Sequence, residues 1–189
     1  MERAFETVLV EQCAPVLAGI KAANLFRLEA RDRAALYAKA AQWHHALQPR
    51  GLQVRVLREC PENAGFLIYV FRAEKLWQKL CAAPVQAYLH GQGYTPAPDC
   101  EGYLRQLSCR LCSGAEFPHE IGVFLGYPLE DVIGFVENRG KNFTCCGCWK
   151  SYGDPAAAQA VFDHYRKCTE VYLRCFRSGT PITRLAVAG

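Results

Sequence analysis

Residues 117–140 read FPHEIGVFLGYPLEDVIGFVENRG, and residues 142–154 read NFTCCGCWKSYGD. Together they form the segment that decides the fold, because they concentrate a His-Glu pair, three closely spaced cysteines and a Trp-Lys pair. Most of the remaining chain has the composition of ordinary packing material. We therefore expect any functional site of this protein to lie in this segment.

Prolines divide the segment into elements. Pro118 suits the first position of a helix, which puts His119 and Glu120 in the first turn. A second helix is predicted after Pro128, with two acidic residues near the positive end of its dipole. Residues 145–152 are predicted to form a strand, and its Trp-Lys pair then points to opposite faces, because consecutive strand residues alternate.

The rest of the chain alternates between helical and strand patterns. Apolar residues at helical spacing predict helices, and runs of alternating or continuous apolar residues predict strands. The predicted elements are a helix over 2–18, a strand over 21–28, a helix from Asp32 to Pro49, a hairpin of LQVRVLRE and FLIYVFR, two short helices broken at Pro84, a helix over CEGYLRQLSCRLC and a long helix after Pro155. FLIYVFR is apolar at nearly every position, so we expect a central strand covered on both faces.

These elements predict the fold class. Helices interleaved with about four strands indicate an α+β or α/β fold with a small mixed sheet covered by helices. The 189 residues, 51% hydrophobic and 21% charged, have the size of a single domain over 1–189. For the tail 179–189 two alternatives stay open: a loose end or an edge strand. We expect one core to contain Leu36, Trp43, Val70, Phe124, Phe135, Phe162 and Tyr165.

Charge and hydropathy limit the partners. The net charge of +4 comes from basic residues scattered among acidic ones, which argues against a nucleic-acid or membrane partner. The apolar N-terminus is interrupted by Glu2, Glu6 and Glu11, unlike a secretion signal. No apolar run approaches the roughly 20 residues that span a bilayer. We expect a cytoplasmic protein with a small-molecule ligand, and the oligomeric state stays open.

The chain contains eleven cysteines. In a reducing compartment such thiols stay free or bind metal, so we expect no disulfide pairing in the cell. The pairs Cys109-x2-Cys112 and Cys145-x2-Cys148 have a spacing at which both thiolates can reach one zinc ion at about 2.3 Å. These four residues are the predicted metal site, for zinc or iron. Variants with a histidine ligand or another cysteine stay open.

A catalytic interpretation uses the same segment. His119 and Glu120 would act with one of three neighbouring cysteines, of which Cys148 is assigned as nucleophile, and Lys150 would stabilise negative charge. Val123 stands where a zinc protease HExxH motif has its second histidine, so that class is excluded. The structural alternative makes Glu120 a helix-dipole partner and His119 a hydrogen-bonded helix cap.

A third interpretation is an anion or nucleotide-phosphate pocket. The free amides behind Pro118 would combine with Lys150 and with either Lys21 or Arg72. No glycine-rich pattern of a P-loop or a dinucleotide fingerprint supports it.

The segments FPHEIGVFLGYPLEDVIGFVEN, WKSYGD and FDHYRKC resemble an uncharacterised bacterial family, a domain of unknown function found mostly in anaerobic Firmicutes. The resemblance covers nearly the whole chain, including CAPVLAGIKAANLF and YVFR. Its motif residues here are His119, Glu120, Gly122, Gly126, Tyr127, Pro128, Trp149, Lys150, Tyr152 and Gly153. Ser151 stands where the family motif places Val. The resemblance implies membership, and it carries over no established reaction.

Two classes of function follow from these observations. The first is a small intracellular thiol- or metal-dependent enzyme, with its site between the His119 helix start and the Cys145–Lys150 strand. The alternative is a non-catalytic metal-binding or redox-linked accessory protein.

Overall fold

A computed structural model describes residues 3–60, 65–113 and 117–188. These residues fall into two units. The first is built from the described residues up to Leu76 and from Cys168 onward, and the second is Trp77–Lys167. The single-domain assignment of residues 1–189 stays a prediction.

The described residues confirm the α+β class. The helices and strands in chain order are α1 (Phe5–Leu17), β1 (Ala23–Glu29), α2 (Arg33–Leu47), a 3-10 turn (Gln48–Arg50), β2 (Leu52–Cys60), β3 (Gly65–Arg72), α3 (Ala73–Leu80), α4 (Ala83–Gly91), α5 (Cys100–Ser113), α6 (Ile121–Phe124), α7 (Leu129–Glu137), β4 (Cys145–Cys146), β5 (Lys150–Ser151), α8 (Pro155–Arg177) and α9 (Ile182–Leu185). Among them, no helix has both the length and the apolar character needed to cross a membrane.

The first unit contains an antiparallel sheet in the order β1-β3-β2. The apolar strand β3 is central, as its composition predicts, and both of its faces are buried. Its residues Tyr69 and Phe71 are almost fully buried, and their rings stack at 5.0 Å. Strands β4 and β5 form a separate antiparallel pair, so the strands make two antiparallel sheets in place of one mixed sheet.

Helix α1 supplies much of the first unit's core. Nine of its thirteen residues are buried, because the helix is apolar around most of its circumference. Helix α2 begins at the predicted cap, where the Asp32 carboxylate accepts a hydrogen bond of 2.9 Å from the Ala35 amide. Its residues Leu36, Ala40 and Leu47 are buried on the core side.

The C-terminal tail packs in the first unit. It is neither a loose end nor an edge strand, because Ile182, Leu185 and Ala186 give α9 an apolar face that is buried. After α9, the Val187 amide donates to the Leu17 carbonyl at 3.0 Å. The tail therefore covers the end of α1.

The second unit has its own buried residues. Helix α5 buries Tyr103, Leu104, Leu107 and Leu111, as its spacing predicts. Around these residues the Tyr94 and Phe124 rings lie 5.7 Å apart, and both are buried.

The prediction of one shared core is wrong. The seven residues expected in one core divide between the units: Leu36, Trp43 and Val70 belong to the first core, and Phe124, Phe135, Phe162 and Tyr165 belong to the second unit. None of the seven is mainly in solvent. On α8 the buried face is defined by Ala158 and Phe162, whereas Val161 is 38% exposed.

Candidate functional site

A cavity of about 330 Å³ lies in the second unit. Its walls come from the turn before α6, from α6 and α7, and from the β4–β5 hairpin. The lining residues are His119, Ile121, Gly122, Tyr127, Asp131, Val132, Phe135, Cys146, Gly147, Cys148, Trp149 and Lys150. The cavity therefore joins the two parts of the segment that the sequence singles out.

Two glycines bring α6 and α7 together. A Cβ on Gly122 would lie 2.8 Å from Val132 Cγ2, so only glycine permits this approach. Gly126 has a φ of +79°, and the Tyr127 amide donates back to the Gly122 carbonyl at 3.0 Å. This left-handed turn ends α6 and leads directly into α7.

Asp131 on α7 holds the hairpin in place. Its carboxylate is buried, and it accepts hydrogen bonds from Trp149 Nε1 at 2.7 Å and Ser151 Oγ at 3.0 Å. It also accepts from the amides of Tyr152 at 2.6 Å and Gly153 at 3.3 Å. Four donors satisfy the carboxylate, so its charge is used to fix the hairpin.

The hairpin also packs through aromatic rings. The Trp149 ring stacks on Tyr127 at 4.7 Å and meets Phe162 edge-on at 4.6 Å. A Cβ on Gly147 would lie 2.3 Å from the Phe162 ring, so the hairpin turn requires glycine there. The segment 145–152 was predicted as one strand. It is a tight hairpin instead, because the Gly147 amide donates to the Trp149 carbonyl at 3.0 Å and reverses the chain.

Lys150 presents a positive charge at the cavity. Its Nζ donates to the Gly140 carbonyl at 2.7 Å and lies 5.8 Å and 5.1 Å from the centroids of the Phe135 and Phe143 rings. No described carboxylate forms an ion pair with it. The ammonium group therefore keeps donor capacity for a ligand.

His119 is exposed and also lines this cavity. Its ring meets Phe135 edge-on at 5.0 Å, and no hydrogen bond joins its side chain to another described residue. The alternative role as a hydrogen-bonded cap is therefore wrong. The centroid of the Phe135 ring lies 5.0 Å from the centroid of the His119 ring and 5.8 Å from Lys150 Nζ. The distance between the His119 ring and Lys150 Nζ therefore cannot exceed the sum of these two distances.

The three neighbouring cysteines take different positions. Cys146 and Cys148 are exposed and line the cavity, whereas Cys145 is half-buried and its Sγ lies 3.7 Å from Gln159 Oε1. Tyr127 lies beside them, and burial raises its pKa to about 12, with Cys148 and Tyr165 adding to the rise. The phenol therefore stays protonated at neutral pH.

Glu120 does not line the cavity of about 330 Å³, whereas His119 lines both that cavity and a second one. Glu120 is buried, accepts from the Tyr94 hydroxyl at 3.2 Å and pairs with Arg110 Nη1 at 3.4 Å. It lines the second cavity, of about 390 Å³, together with His119, Arg110 and Phe117. Glu120 is therefore absent from the cavity wall that carries Cys148 and Lys150, and its catalytic role stays a prediction.

The structure does not assemble the predicted four-cysteine metal site. Cys109 and Cys112 are exposed on α5, and Cys145 and Cys148 are on the hairpin. Within residues 3–60, 65–113 and 117–188, no group of three or more His, Cys, Asp or Glu side chains is arranged to hold a metal ion.

The two other cations of the predicted anion pocket lie in the first unit. Lys21 donates to Asn24 Oδ1 at 2.6 Å, and the Arg72 guanidinium donates to backbone carbonyls. Helix α6 has only four residues, so its free amides are few. Among the predicted cations, Lys150 is the one that lines this cavity.

Comparison with models of sequence families identifies the family to which the chain belongs. A family model described as "Protein of unknown function (DUF3793)" matches residues 9–186. The chain belongs to this family. The membership that the motifs predict is thereby confirmed. No curated protein and no solved structure matches the chain.

In this DUF3793 protein, sequence reasoning missed Asp131 and Phe135. Asp131 was interpreted as a partner for the helix dipole, and Phe135 as a core residue. The two are four positions apart on α7, so they share a helix face, and both line the cavity. The sequence contained one signal for this: Asp131 shares a helix face with the apolar Phe135, which indicates that its carboxylate points inward.

Proposed function

We propose that this cavity is the active site of a small thiol-dependent enzyme, acting in the cytoplasm on a small-molecule substrate. Cys148 is the nucleophile, His119 the general base and Lys150 the group that stabilises developing negative charge. The supporting observation is that all three residues line one cavity of about 330 Å³. Pockets of small-molecule sites occupy about 300–1,000 Å³.

The chemistry is that of covalent catalysis. His119 accepts the proton of the Cys148 thiol, and the thiolate attacks an electrophilic carbon of the substrate, forming a C–S bond. Negative charge that develops on the substrate faces the Lys150 ammonium. The leaving group departs with the electron pair of its bond and takes the proton from His119. Water then cleaves the C–S bond and restores the thiol.

An ester assay tests this proposal. With p-nitrophenyl acetate, the Cys148 thiolate forms an acetyl thioester and releases p-nitrophenolate, which is measured by absorbance. We expect repeated turnover by the wild-type protein and loss of it in Cys148→Ser. The His119→Ala variant should lower the turnover rate by a factor of roughly 100 or more, as removal of a general base does.

Matched controls separate the site from general thiol reactivity. Cys81→Ser removes another exposed thiol, and His164→Ala removes another exposed histidine of the second unit. Both should keep the wild-type rate. Turnover that survives in Cys148→Ser, or that falls equally in His164→Ala, contradicts the proposal.

The second candidate is a redox-linked or metal-binding accessory protein. It is favoured by the placement of Cys145, Cys146 and Cys148 within one short hairpin, where two of the three are exposed. Thiolates are ligands for zinc or iron, and neighbouring thiols also exchange with disulfides. Protein purified without chelator should then carry metal, or form a hairpin disulfide under mild oxidation. Neither result is expected for the enzyme.

A further inference from the structure

We infer that the ligand of this cavity is a small aromatic carboxylate: a molecule of one or two rings with a single negative charge. This inference rests on the proposal that the cavity is the functional site, and it names the class of ligand. Three observations carry it: the apolar walls, the volume and the Lys150 cation, which forms no ion pair with a described carboxylate.

The walls suit a flat apolar body. Ile121 and Val132 contribute aliphatic side chains, and Phe135 contributes a ring. Tyr127 and Trp149, held together by stacking, contribute further aromatic surface. Aromatic side chains offset-stack or meet edge to face with a ligand ring. A volume of about 330 Å³ is at the lower end of the range for small-molecule sites, so a one- or two-ring molecule fits better than a nucleotide.

The charges favour an anion. Lys150 Nζ donates one hydrogen bond to the Gly140 carbonyl, and none of the described carboxylates pairs with it. His119 is a second donor when its ring faces the ligand. The other charged group on the wall is Asp131, and its carboxylate already accepts four hydrogen bonds from the hairpin.

A cationic ligand fits less well. Aromatic residues can form a cage for ammonium groups. Here the Trp149 ring already stacks on Tyr127, and the Phe135 ring already has the Lys150 ammonium 5.8 Å from its centroid. A second cation would meet the charge of Lys150, and the described residues that line the cavity supply no free carboxylate to offset it.

Three ligands with one ring system test the inference. Indole-3-acetate, indole-3-acetamide and tryptamine carry negative, zero and positive charge, and their affinities are measured by isothermal titration calorimetry. We expect the acetate to bind roughly tenfold more tightly than the acetamide, and tryptamine to bind most weakly. Lys150→Met should make the acetate and acetamide equal, whereas Lys150→Arg should keep the preference.

The control is Lys141→Met, which removes an exposed lysine close to the site in the chain and should leave the order unchanged. Equal affinities, absence of binding by all three ligands, or tightest binding of tryptamine overturns the inference. The result of the ester assay does not depend on the result of this titration. A charge preference without thiol turnover overturns the enzyme proposal alone, and thiol turnover without a charge preference overturns the ligand class alone.

Discussion

Arg72 in the first unit and Lys150 in the second show two uses of a positive charge. The Arg72 side chain is buried, and it donates to the carbonyls of Val16, Leu17 and Val187 at 2.7, 2.8 and 2.7 Å. Its Nη1 donates to the Arg50 carbonyl at 3.3 Å. Lys150 gives one hydrogen bond to backbone and faces a cavity. The first cation holds the fold together, whereas the second keeps capacity for a ligand.

The cysteines repeat this contrast. Cys13 is fully buried in the first core, and burial raises the pKa of its thiol to about 12. Cys148 is exposed at the cavity. Because the thiolate is the nucleophile, a thiol held in its neutral form by burial is inert. The comparison teaches that function is expected where a cation or a thiol faces a cavity and is not buried in a core.

The largest expected effect is on Arg72. Arg72→Leu leaves the carbonyls at the end of α1 and in the tail without their donor inside a buried region. We expect the free energy of unfolding to fall by about 3–5 kcal/mol, measured by urea denaturation.

Two control variants test whether Arg72 and Lys150 differ in their contribution to stability. Arg50→Ala removes an exposed side chain and should cost less than about 0.5 kcal/mol. Lys150→Met removes the cavity cation and should cost less than about 1.5 kcal/mol, because it removes one hydrogen bond. If Lys150→Met destabilises as much as Arg72→Leu, the contrast between the two cations fails.

The next effect concerns Asp131. Asp131→Asn removes the charge and turns an NH2 group toward donors of the hairpin, so at least one hydrogen bond is lost. We expect a loss of about 2–3 kcal/mol in stability together with looser Trp149 packing, seen as changed tryptophan fluorescence. Asp163→Asn changes an exposed carboxylate of the same unit and should have little effect. Equal stabilities of the two variants would show that the hairpin does not depend on Asp131.

A smaller effect is the pH dependence contributed by Cys13. Its folded pKa is about 12, above the usual value of 9.0, so its stability contribution is complete below pH 9 and is lost as the pH rises toward 12. Relative to Cys13→Ala, the wild-type protein should lose about 1.4 kcal/mol for each pH unit above 9. Denaturation at pH 8, 9 and 10 checks this. A constant difference between the two proteins would contradict it.

Periodicity and turn residues allowed much of the fold to be predicted. The alternation in LQVRVLRE and the continuous apolar run in FLIYVFR identified the hairpin and its central strand, because side-chain burial on a sheet follows the strand period. Asp32 likewise marked the start of α2. These signals depend only on residues close together in the chain, so they can be recognised in a single sequence.

The candidate site was predicted in part. The segment, His119, Cys148 and Lys150 were identified from residue type, and the structure places them around one cavity. The burial of Glu120 beside Tyr94 and Arg110 could not be predicted, because these partners are 26 and 10 positions away in the sequence. Contacts of this kind depend on tertiary packing, which no local pattern encodes.

The most direct test of the central claim is alkylation of the native protein with iodoacetamide, followed by mass spectrometry at each of the eleven cysteines. The account predicts that Cys148 reacts fastest and Cys13 slowest. It also predicts that His119→Ala slows Cys148 by roughly tenfold or more, while His164→Ala leaves it unchanged. Reaction of Cys148 at the rate of Cys81, with no effect of His119→Ala, would contradict the account.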